Sequence, residues 1–413
     1  MKRLFVFADF DWLENIELVG ELTMDSIRGG ETYGFKFEPS WLKKHGSVSL
    51  SDDLNNYVGM QYGQPGKDIF GCFSDSLPDR WGRTLVLRRE QILAAEEKRP
   101  VRRLSSMDYL LGIDDATRMG GFRFKESLDG EFINCAHELQ IPPIASIREL
   151  IAASQEIELS EEKNSLPEKR WIMQLVQPGT SLGGARPKAS VVDDNKQLYV
   201  AKFPSRKDLY DVGLWEHFAK STGINCAETK VITAGSKYHT LLSKRFDRNE
   251  AGKRIHFASA MTMLGLTDGQ NASTGNGYLD IVDFILQGCC DVEKNLQELY
   301  RRVAFNIAIG NTDDHFRNHG FLLTPKGWTL SPAYDLNPTL ARDQSLLINA
   351  YTTESNLDIL LDSCDDYMIS SKVASSIISE VKDSMSSWSK LATSIGLSFT
   401  EQNMFKDRFN LLN

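Results

Sequence analysis

The sequence lacks long hydrophobic runs, paired-cysteine motifs and an excess of positive charge. No apolar stretch approaches the ~18 residues of a membrane-spanning helix, so we expect no contact with membranes. The six cysteines form no C-x-x-C motif, and the adjacent Cys289 and Cys290 would bridge only with strain, which favours a reducing compartment. A net charge of −9 argues against broad, sequence-independent binding to nucleic acid.

The N-terminus does not have the composition of a secretory signal. Its short apolar run is interrupted at once by Asp9 and Asp11. We therefore predict a cytoplasmic protein. The 413 residues are enough for two or three domains, and 41% hydrophobic with 25% charged residues is ordinary for a globular protein with a sizeable core.

The first part of the chain shows strand patterns and then a helix. Short apolar runs broken by glycine and proline predict a β-rich segment over residues 1–60. Asp79 then precedes a helical pattern and is a candidate N-cap. Arginines on and after this helix, between Arg80 and Arg103, form either a solvated face or a site for phosphate or nucleic acid. Residues 156–170 are charged and poor in apolar side chains, so we interpret them as a linker or exposed loop, with a domain boundary between about 135 and 170.

Residues 311–337 carry the strongest chemical signal in the chain. Asp313 is followed by Asn318 in the spacing D-x-x-x-x-N, and Asp335 follows two short strand patterns with a turn between them. Transfer of the terminal phosphoryl group of ATP needs a base at the acceptor hydroxyl and oxygen ligands for Mg²⁺. We predict Asp313 as that base and Asn318 and Asp335 as the metal ligands, at the two ends of a β-hairpin.

A second group of residues fits the nucleotide. Small residues at Gly183, Gly184 and Ala185 allow backbone amides to approach a phosphate, and Arg186 and Lys188 add positive charge there. A tight turn between strands remains an alternative for this segment. Lys202 ends the next strand, where a kinase lysine holds phosphates. Glu216 on the following helix is a candidate partner of Lys202, although a surface glutamate would have the same pattern. Backbone of residues 243–246 would lie beside adenine.

Two other classes of function stay open. Asp313, His315 and His319 form D-x-H-x-x-x-H, which contains metal-ligand residue types and is compatible with a metal hydrolase. The glycine after His319 interrupts a helix at that position, and such an enzyme would not need the glycine segment or the lysine strand. A catalytically silent kinase-like binding partner is the second alternative.

The order of these motifs resembles the HipA family, the serine/threonine kinase toxins of bacterial HipA/HipB toxin–antitoxin pairs. The likeness runs nearly end to end. It is carried by F-S-D-S-L-P-D-R-W-G-R from Phe73, S-L-G-G-A-R-P-K from Ser181, Y-V-A-K-F around Lys202, K-R-F-D-R from Lys244, N-T-D-D-H-F-R-N from Asn311 and A-Y-D-L from Ala333.

The resemblance implies roles for individual residues. The backbone from Lys244 to Phe246 would contact adenine, and His315 would lie beside the phosphates. Ser181 matches the autophosphorylated serine of the family, whose modification ejects the glycine loop and inactivates the kinase. The phosphate group on Ser181 would lie beside the triphosphate and oppose ATP binding by charge repulsion. Lys244 replaces an acidic residue of the best-known member.

The family pattern leaves one carboxylate without a role. Asp314 occupies a variable position of the family, where it is either a bystander or raises the pKa of Asp313 by like-charge proximity.

The resemblance also implies partners and an architecture. Family members phosphorylate aminoacyl-tRNA synthetases and bind a small helix-turn-helix antitoxin, HipB, so any link to DNA would be indirect. We expect an α+β fold, two-lobed and protein-kinase-like, with a β-rich small lobe, an all-helical large lobe and an extra β-rich N-terminal subdomain. The predicted parts are the N-terminal subdomain over residues 1–140, the small lobe with the glycine-rich loop over 141–250, and the large lobe with the catalytic and metal-binding loops over 251–413.

Overall fold

The structure is a computed structural model that describes residues 2–27, 30–63, 69–135, 141–176 and 184–410. The chain divides into two compact units. The first contains Met1–Lys207, Ala234–Ser236 and Leu242–Ala258, and the second contains Asp208–Thr233, Lys237–Leu241 and Ser259–Asn413. The predicted three-part division with boundaries near 140 and 250 stays a prediction.

The first unit contains an antiparallel five-stranded sheet in the order β4-β3-β2-β1-β5. Its strands are β1 (Lys2–Ala8), β2 (Glu17–Ile27), β3 (Gly30–Phe37), β4 (Met60–Tyr62) and β5 (Phe122–Lys125). Alternate residues of β1, among them Leu4 and Val6, face the core, as the period of a strand requires. Phe35, Phe73 and Phe122 pack against one another in the core. The predicted β-rich N-terminal segment is confirmed.

Six helices accompany this sheet in the described part of the first unit. They are α1 (Pro39–His45), α2 (Gly71–Ser74), α3 (Arg80–Glu96), α4 (Ser106–Leu111), α5 (Ile147–Glu162) and α6 (Lys169–Val176). The predicted cap of α3 is confirmed, since Asp79 Oδ1 accepts a hydrogen bond from the Gly82 amide at 2.7 Å. This bond satisfies one of the free amides at the helix start.

The prediction of a linker or exposed loop over residues 156–170 is wrong at both ends and holds only for residues 163–168, which connect two helices. The first seven of these residues complete α5, and the last two begin α6. Leu150, Ile151 and Ile157 are buried at helical spacing, so α5 has an apolar face despite its charge. Glu158 is also buried, and its carboxylate accepts hydrogen bonds from Ser205 Oγ at 2.6 Å and the Arg206 amide at 3.0 Å. The high charge was misleading because Glu156, Glu161 and Glu162 are exposed, while Glu158 is buried with hydrogen-bond donors.

Two strands follow the glycine-rich segment, and the second is the predicted strand that ends at Lys202. β6 (Lys188–Val192) pairs with β7 (Leu198–Lys202) in antiparallel register, which sets Lys188 directly opposite Lys202. The chain continues through α7 (Val212–Ser221), β8 (Thr229–Ile232), β9 (Thr240–Lys244) and β10 (His256–Ser259). Because opposed residues of an antiparallel pair share one face of the sheet, the two lysines are cross-strand neighbours.

The second unit is mostly helical. Its remaining elements are α8 (Ala260–Met263), α9 (Tyr278–Gly288), α10 (Val292–Ile309), β11 (Gly320–Thr324), β12 (Gly327–Leu330), α11 (Leu357–Asp362), α12 (Ser371–Met385), α13 (Trp388–Ser394) and α14 (Phe399–Asn410). The predicted hairpin is confirmed, since β11 and β12 pair from Phe321 with Leu330 to Thr324 with Gly327. α10 buries Leu299, Val303 and neighbouring apolar residues and leads into the loop that carries Asp313.

No helix among the described residues is both long enough and apolar enough to cross a bilayer.

Candidate functional site

The predicted base lies on a loop that is closed by its own hydrogen bonds. α10 ends at Gly310, whose φ of 73° is in the left-handed region that glycine adopts readily. Asp313 follows and is exposed. Asn318 closes the loop, because its amide donates to His315 O at 2.7 Å and its Nδ2 donates to Asp313 O at 3.3 Å. The loop therefore holds the predicted base and one predicted metal ligand in a defined relation.

The environment of Asp313 raises the pKa of its carboxyl group. Local desolvation is the main cause, and the negative charges of Asp335 and Asp314 act in the same direction, while His315 opposes them. A carboxylate with a raised pKa is a better acceptor for the proton of a hydroxyl group. Asp314, left open from the sequence, thus does raise the pKa of its neighbour, as the smallest of the named effects.

The second predicted metal ligand is attached to the same loop. Asp335 has a positive φ of 57°, which is uncommon for a residue with a side chain. Its amide donates to Glu216 Oε1 at 3.2 Å, and its carbonyl accepts from Asn311 Nδ2 at 3.3 Å. Glu216 on α7 and Asn311 at the loop start together fix this backbone conformation. The predicted pairing of Glu216 with Lys202 stays a prediction.

The available donor atoms suit Mg²⁺, which prefers carboxylate and amide oxygens. The Asn318 side chain uses Nδ2 on the Asp313 carbonyl, which leaves Oδ1 as the atom that would bind a cation. His315 Nδ1 is buried and has no hydrogen-bond partner among the described residues. The predicted position of His315 beside the phosphates stays a prediction.

The geometry argues against the metal hydrolase. His319 Nε2 lies 2.7 Å from Asp314 Oδ2 and both residues are buried, so this histidine is already engaged. Across the described ranges, no group of three or more His, Cys, Asp or Glu side chains is arranged to hold a metal ion. A kinase-type site differs, because it combines one Asn with one Asp and takes its other ligands from phosphates and water.

In the first unit, Lys188 has a partner that the sequence did not indicate. Its Nζ lies 3.1 Å from Asp79 Oδ2, and the two side chains are 4% and 1% exposed. Trp81 Nε1 donates to the carbonyl of Lys188 at 3.1 Å. Gly184 has a φ of 90°, and a Cβ there would come within 2.9 Å of Lys188 Nζ. The start of α3 therefore holds the base of the glycine-rich segment, and the predicted role of Lys188 at the nucleotide stays a prediction.

The other predicted nucleotide residues differ in their surroundings. Ser181 and Gly183 lie outside the described residues. Gly184 and Ala185 are exposed, while Arg186 and Lys202 are half-buried.

The adenine-binding prediction concerns the end of β9. Lys244 Nζ lies 2.8 Å from Glu250 Oε1, so its side chain is turned to a neighbouring loop, and Phe246 packs against Phe257. These two contacts are compatible with a main-chain role at adenine, which stays a prediction.

Sequence patterns missed two residues that support the site. The sequence left the role of Asp314 open and did not single out Asn306. Both are buried polar residues and bond to each other, with Asn306 Nδ2 donating to Asp314 Oδ2 at 2.7 Å. Asn306 lies on the buried face of α10, and a polar residue there needs a hydrogen-bond partner. This position is the feature of the sequence that could have identified it.

Comparisons with known proteins agree with the motifs. The family model described as HipA-like C-terminal domain matches residues 180–389, and that of the HipA N-terminal domain matches residues 12–107. A serine/threonine-protein kinase toxin HipA from Shewanella oneidensis is 27% identical over 214 residues, which cover 45% of this chain and 48% of the relative. The aligned part of the chain thus spans about half the length of this curated relative.

A solved structure is similar over almost the whole chain. It is the complex of HipA, HipB and operator DNA from the Shewanella oneidensis MR-1 toxin–antitoxin system, with a TM-score of 0.65 and 17% identity, covering 99% of this chain and 95% of that one. At this identity the likeness concerns the fold. The predicted α+β, kinase-like fold with an extra N-terminal subdomain is confirmed.

Proposed function

This chain belongs to the HipA family, and from that premise we propose that it is an ATP-dependent serine/threonine protein kinase acting as the toxin of a toxin–antitoxin pair. The observation that carries the proposal is the loop that joins Asp313 and Asn318 and is bonded to the backbone of Asp335. Base and metal ligands in this order are the parts that phosphoryl transfer needs.

Each residue has a role in the proposed reaction. Asp313 accepts the proton of the acceptor hydroxyl, a role that its raised pKa favours. Asn318 and Asp335 hold Mg²⁺, which would neutralise charge on the phosphates. Lys202, the segment Gly183–Lys188 and His315 bind the phosphates, and the backbone of Lys244–Phe246 contacts adenine. Glu216 orients Asp335 through its amide.

Autophosphorylation of Ser181 is the proposed means of self-inhibition. A phosphoserine adds nearly two negative charges to the glycine-rich segment. Those charges would repel the triphosphate of ATP, so the modified protein would bind nucleotide weakly.

The proposed protein substrate is an aminoacyl-tRNA synthetase or a similar component of translation, and the proposed partner is a small helix-turn-helix, HipB-like antitoxin in the cytoplasm. The similar solved structure contains HipB and operator DNA. DNA would be contacted chiefly through the antitoxin. The group of arginines on and after α3 is partly neutralised, because Arg99 and Arg102, which follow the helix, both bond to the buried Glu90. Arg80, Arg88 and Arg89 on α3 are the side chains whose charge we would reverse in a test of contacts with the DNA backbone.

The decisive experiment is incubation with γ-labelled ATP and Mg²⁺, with protein first shown by intact mass to carry no phosphate. The parent protein should incorporate label, mapped by mass spectrometry to Ser181, and Asp313→Asn should incorporate none. Asp283→Asn is the matched control, since Asp283 is an exposed carboxylate on α9.

Two results would count against the proposal. Equal labelling of the parent and Asp313→Asn would exclude Asp313 as the base. Absence of label on the protein, on a synthetase and on a general acceptor would favour the alternative of a catalytically silent binding partner. Retained ATP binding and tight binding of the antitoxin would then support that alternative.

A further inference from the structure

Asp314 is the buried carboxylate next to the predicted base, and the proposed reaction gives it no role. It is 2% exposed, whereas Asp313 is exposed. Removing a carboxylate from water is costly unless its oxygens receive hydrogen bonds. A buried aspartate beside a functional loop therefore needs an explanation in terms of its partners.

Three donors converge on one oxygen of Asp314. Oδ2 accepts from Tyr278 Oη at 2.8 Å, from Asn306 Nδ2 at 2.7 Å and from His319 Nε2 at 2.7 Å. All three donors are buried. Burial acts to raise the pKa of Asp314, but His319 and the donated hydrogen bonds outweigh it, and the pKa is lowered. Asp314 is therefore a charged acceptor, which makes its hydrogen bonds stronger than neutral ones.

The donors come from three separate elements. Tyr278 is the first residue of α9, Asn306 lies in the last turn of α10, and His319 stands immediately before β11. Asn306 also accepts from Asn311 Nδ2 through its Oδ1 at 3.0 Å, and Asn311 in turn contacts the Asp335 carbonyl. One chain of hydrogen bonds thus connects Asp314 with the backbone of Asp335.

This arrangement fixes the loop on both sides of Asp313. The Asp314 carboxylate attaches the backbone between Asn311 and Asn318 to neighbouring elements, for example by its hydrogen bond with His319. Asn318 closes the loop by donating a hydrogen bond to the Asp313 carbonyl. A displacement of a catalytic group by about 1 Å lowers rates roughly 100-fold, so an anchor at the adjacent residue has a direct effect on rate.

We propose that Asp314 is a positioning residue, which uses one buried oxygen to hold α9, α10 and the start of β11 together and so sets the direction of Asp313. The inference rests on the proposed kinase function for its effect on rate. Its structural part, the anchoring of the loop, does not depend on that function.

Two variants test the anchor at different strengths. Asp314→Asn keeps the shape of the side chain and removes the charge that the three donors share. Tyr278→Phe removes a single donor and leaves the ring in the core. We expect the first to lower kcat by about tenfold or more and the second by about threefold, with KM for ATP and the Kd of an unreactive ATP analogue changed less than about twofold. Asp283→Asn is the control for loss of a carboxylate on α9.

The double variant adds a test of coupling. If both side chains act through the same oxygen, Asp314→Asn combined with Tyr278→Phe should lower kcat by less than the product of the single effects. A full product would mean that the two residues act independently. An unchanged kcat in folded Asp314→Asn protein, measured well below its melting temperature, would overturn the positioning role.

Hydrogen exchange separates this inference from the proposed function. The Asn318 amide bonds to His315 O and the Asn311 amide to Asn306 O, so both should be protected. Asp314→Asn should speed exchange within residues 311–319 by about tenfold while α12 exchanges as in the parent. If the parent protein is inactive but shows this exchange pattern, the proposed kinase activity is refuted and the anchoring role of Asp314 is supported. Unchanged exchange in active protein would refute the anchor and keep the kinase.

Discussion

Asp247 is a buried carboxylate of the first unit whose neutralisation is expected to be costly. It is fully buried at 0% exposure and bonds to Arg245 Nε at 2.7 Å, Arg248 Nη1 at 2.8 Å and the Gly120 amide at 2.9 Å. The two guanidinium groups in turn bond to backbone carbonyls of residues 116–118. Asp247 therefore neutralises the charges that join two distant segments.

Asp247→Asn leaves both buried guanidinium groups without that carboxylate. Removing one partner of a buried ion pair costs about 3–5 kcal/mol, so we expect a loss of that size in the free energy of unfolding at neutral pH. Urea unfolding followed by a probe in the first unit measures it. The matched control is Glu250→Gln, because Glu250 forms an exposed pair with Lys244 and should cost less than about 0.5 kcal/mol.

The pH dependence has a definite sign. Burial acts to raise the pKa of Asp247, but Arg245 and Arg248 outweigh it and hold the pKa below its usual range. The stabilisation is thus fully present above the unfolded pKa of about 3.9 and is lost as pH falls below it. The deficit of Asp247→Asn should stay constant from weakly acidic to weakly basic pH and shrink by about 1.4 kcal/mol per pH unit below pH ~4. A loss under about 1 kcal/mol at neutral pH would refute the reasoning.

Two further predictions concern the contacts that support the site. Lys188→Met should destabilise the first unit by about 3 kcal/mol in urea unfolding, because it removes the buried ammonium that lies 3.1 Å from the Asp79 carboxylate. Asp79→Asn in the same chain should recover part of the loss, and no recovery would mean that the pair is not the cause. Glu216→Ala should weaken Mg²⁺-dependent binding of an ATP analogue in calorimetry, because the Asp335 amide loses its hydrogen-bond acceptor. Glu216→Gln keeps an acceptor oxygen and should bind the analogue nearly as the parent does. Equal weakening in both variants would mean that the charge of Glu216 matters instead.

Local patterns in the sequence were sufficient for most elements. The hairpin β11–β12 follows from two short apolar runs around Pro325-Lys326-Gly327, and α10 follows from apolar residues at helical spacing. The start of α3 follows from the capping chemistry of Asp79. In each case the residues that determine the structure are near one another in the chain, so the pattern and its cause are both visible in the sequence.

The same reasoning failed where charge was taken as a sign of exposure. Residues 156–162 are mostly charged or polar, yet they form the last turns of α5, with Ile157 in the core. The apolar spacing was present, but it extends upstream to Ile147, outside the stretch that was judged by composition. Periodicity over the whole helix decides such cases, because only one face of a helix has to be apolar.

Contacts between residues that are distant in the chain could not be predicted from the sequence. Asp79 and Lys188 are separated by 109 residues, and Asp314 lies 36 residues from Tyr278. Nothing in either local sequence specifies the other member of the pair. The sequence predicts chemical roles for Asp313, Asn318 and Asp335, but it does not show which buried groups hold their loop in place.

These long-range contacts explain why residues 242–258 belong to the first unit. Arg254 bonds to Asp115, and Asp247 accepts the Gly120 amide, so the segment after β9 is held to the loop that precedes β5. Lys188 is held by Asp79 in the same way. Without the N-terminal residues, the buried cations Lys188 and Arg254 would lose the carboxylates of Asp79 and Asp115, and each such loss costs several kcal/mol. Since a folded unit of this size is stable by only about 5–15 kcal/mol, we expect that removal of the N-terminal residues would strongly destabilise β6 and the segment around Arg254.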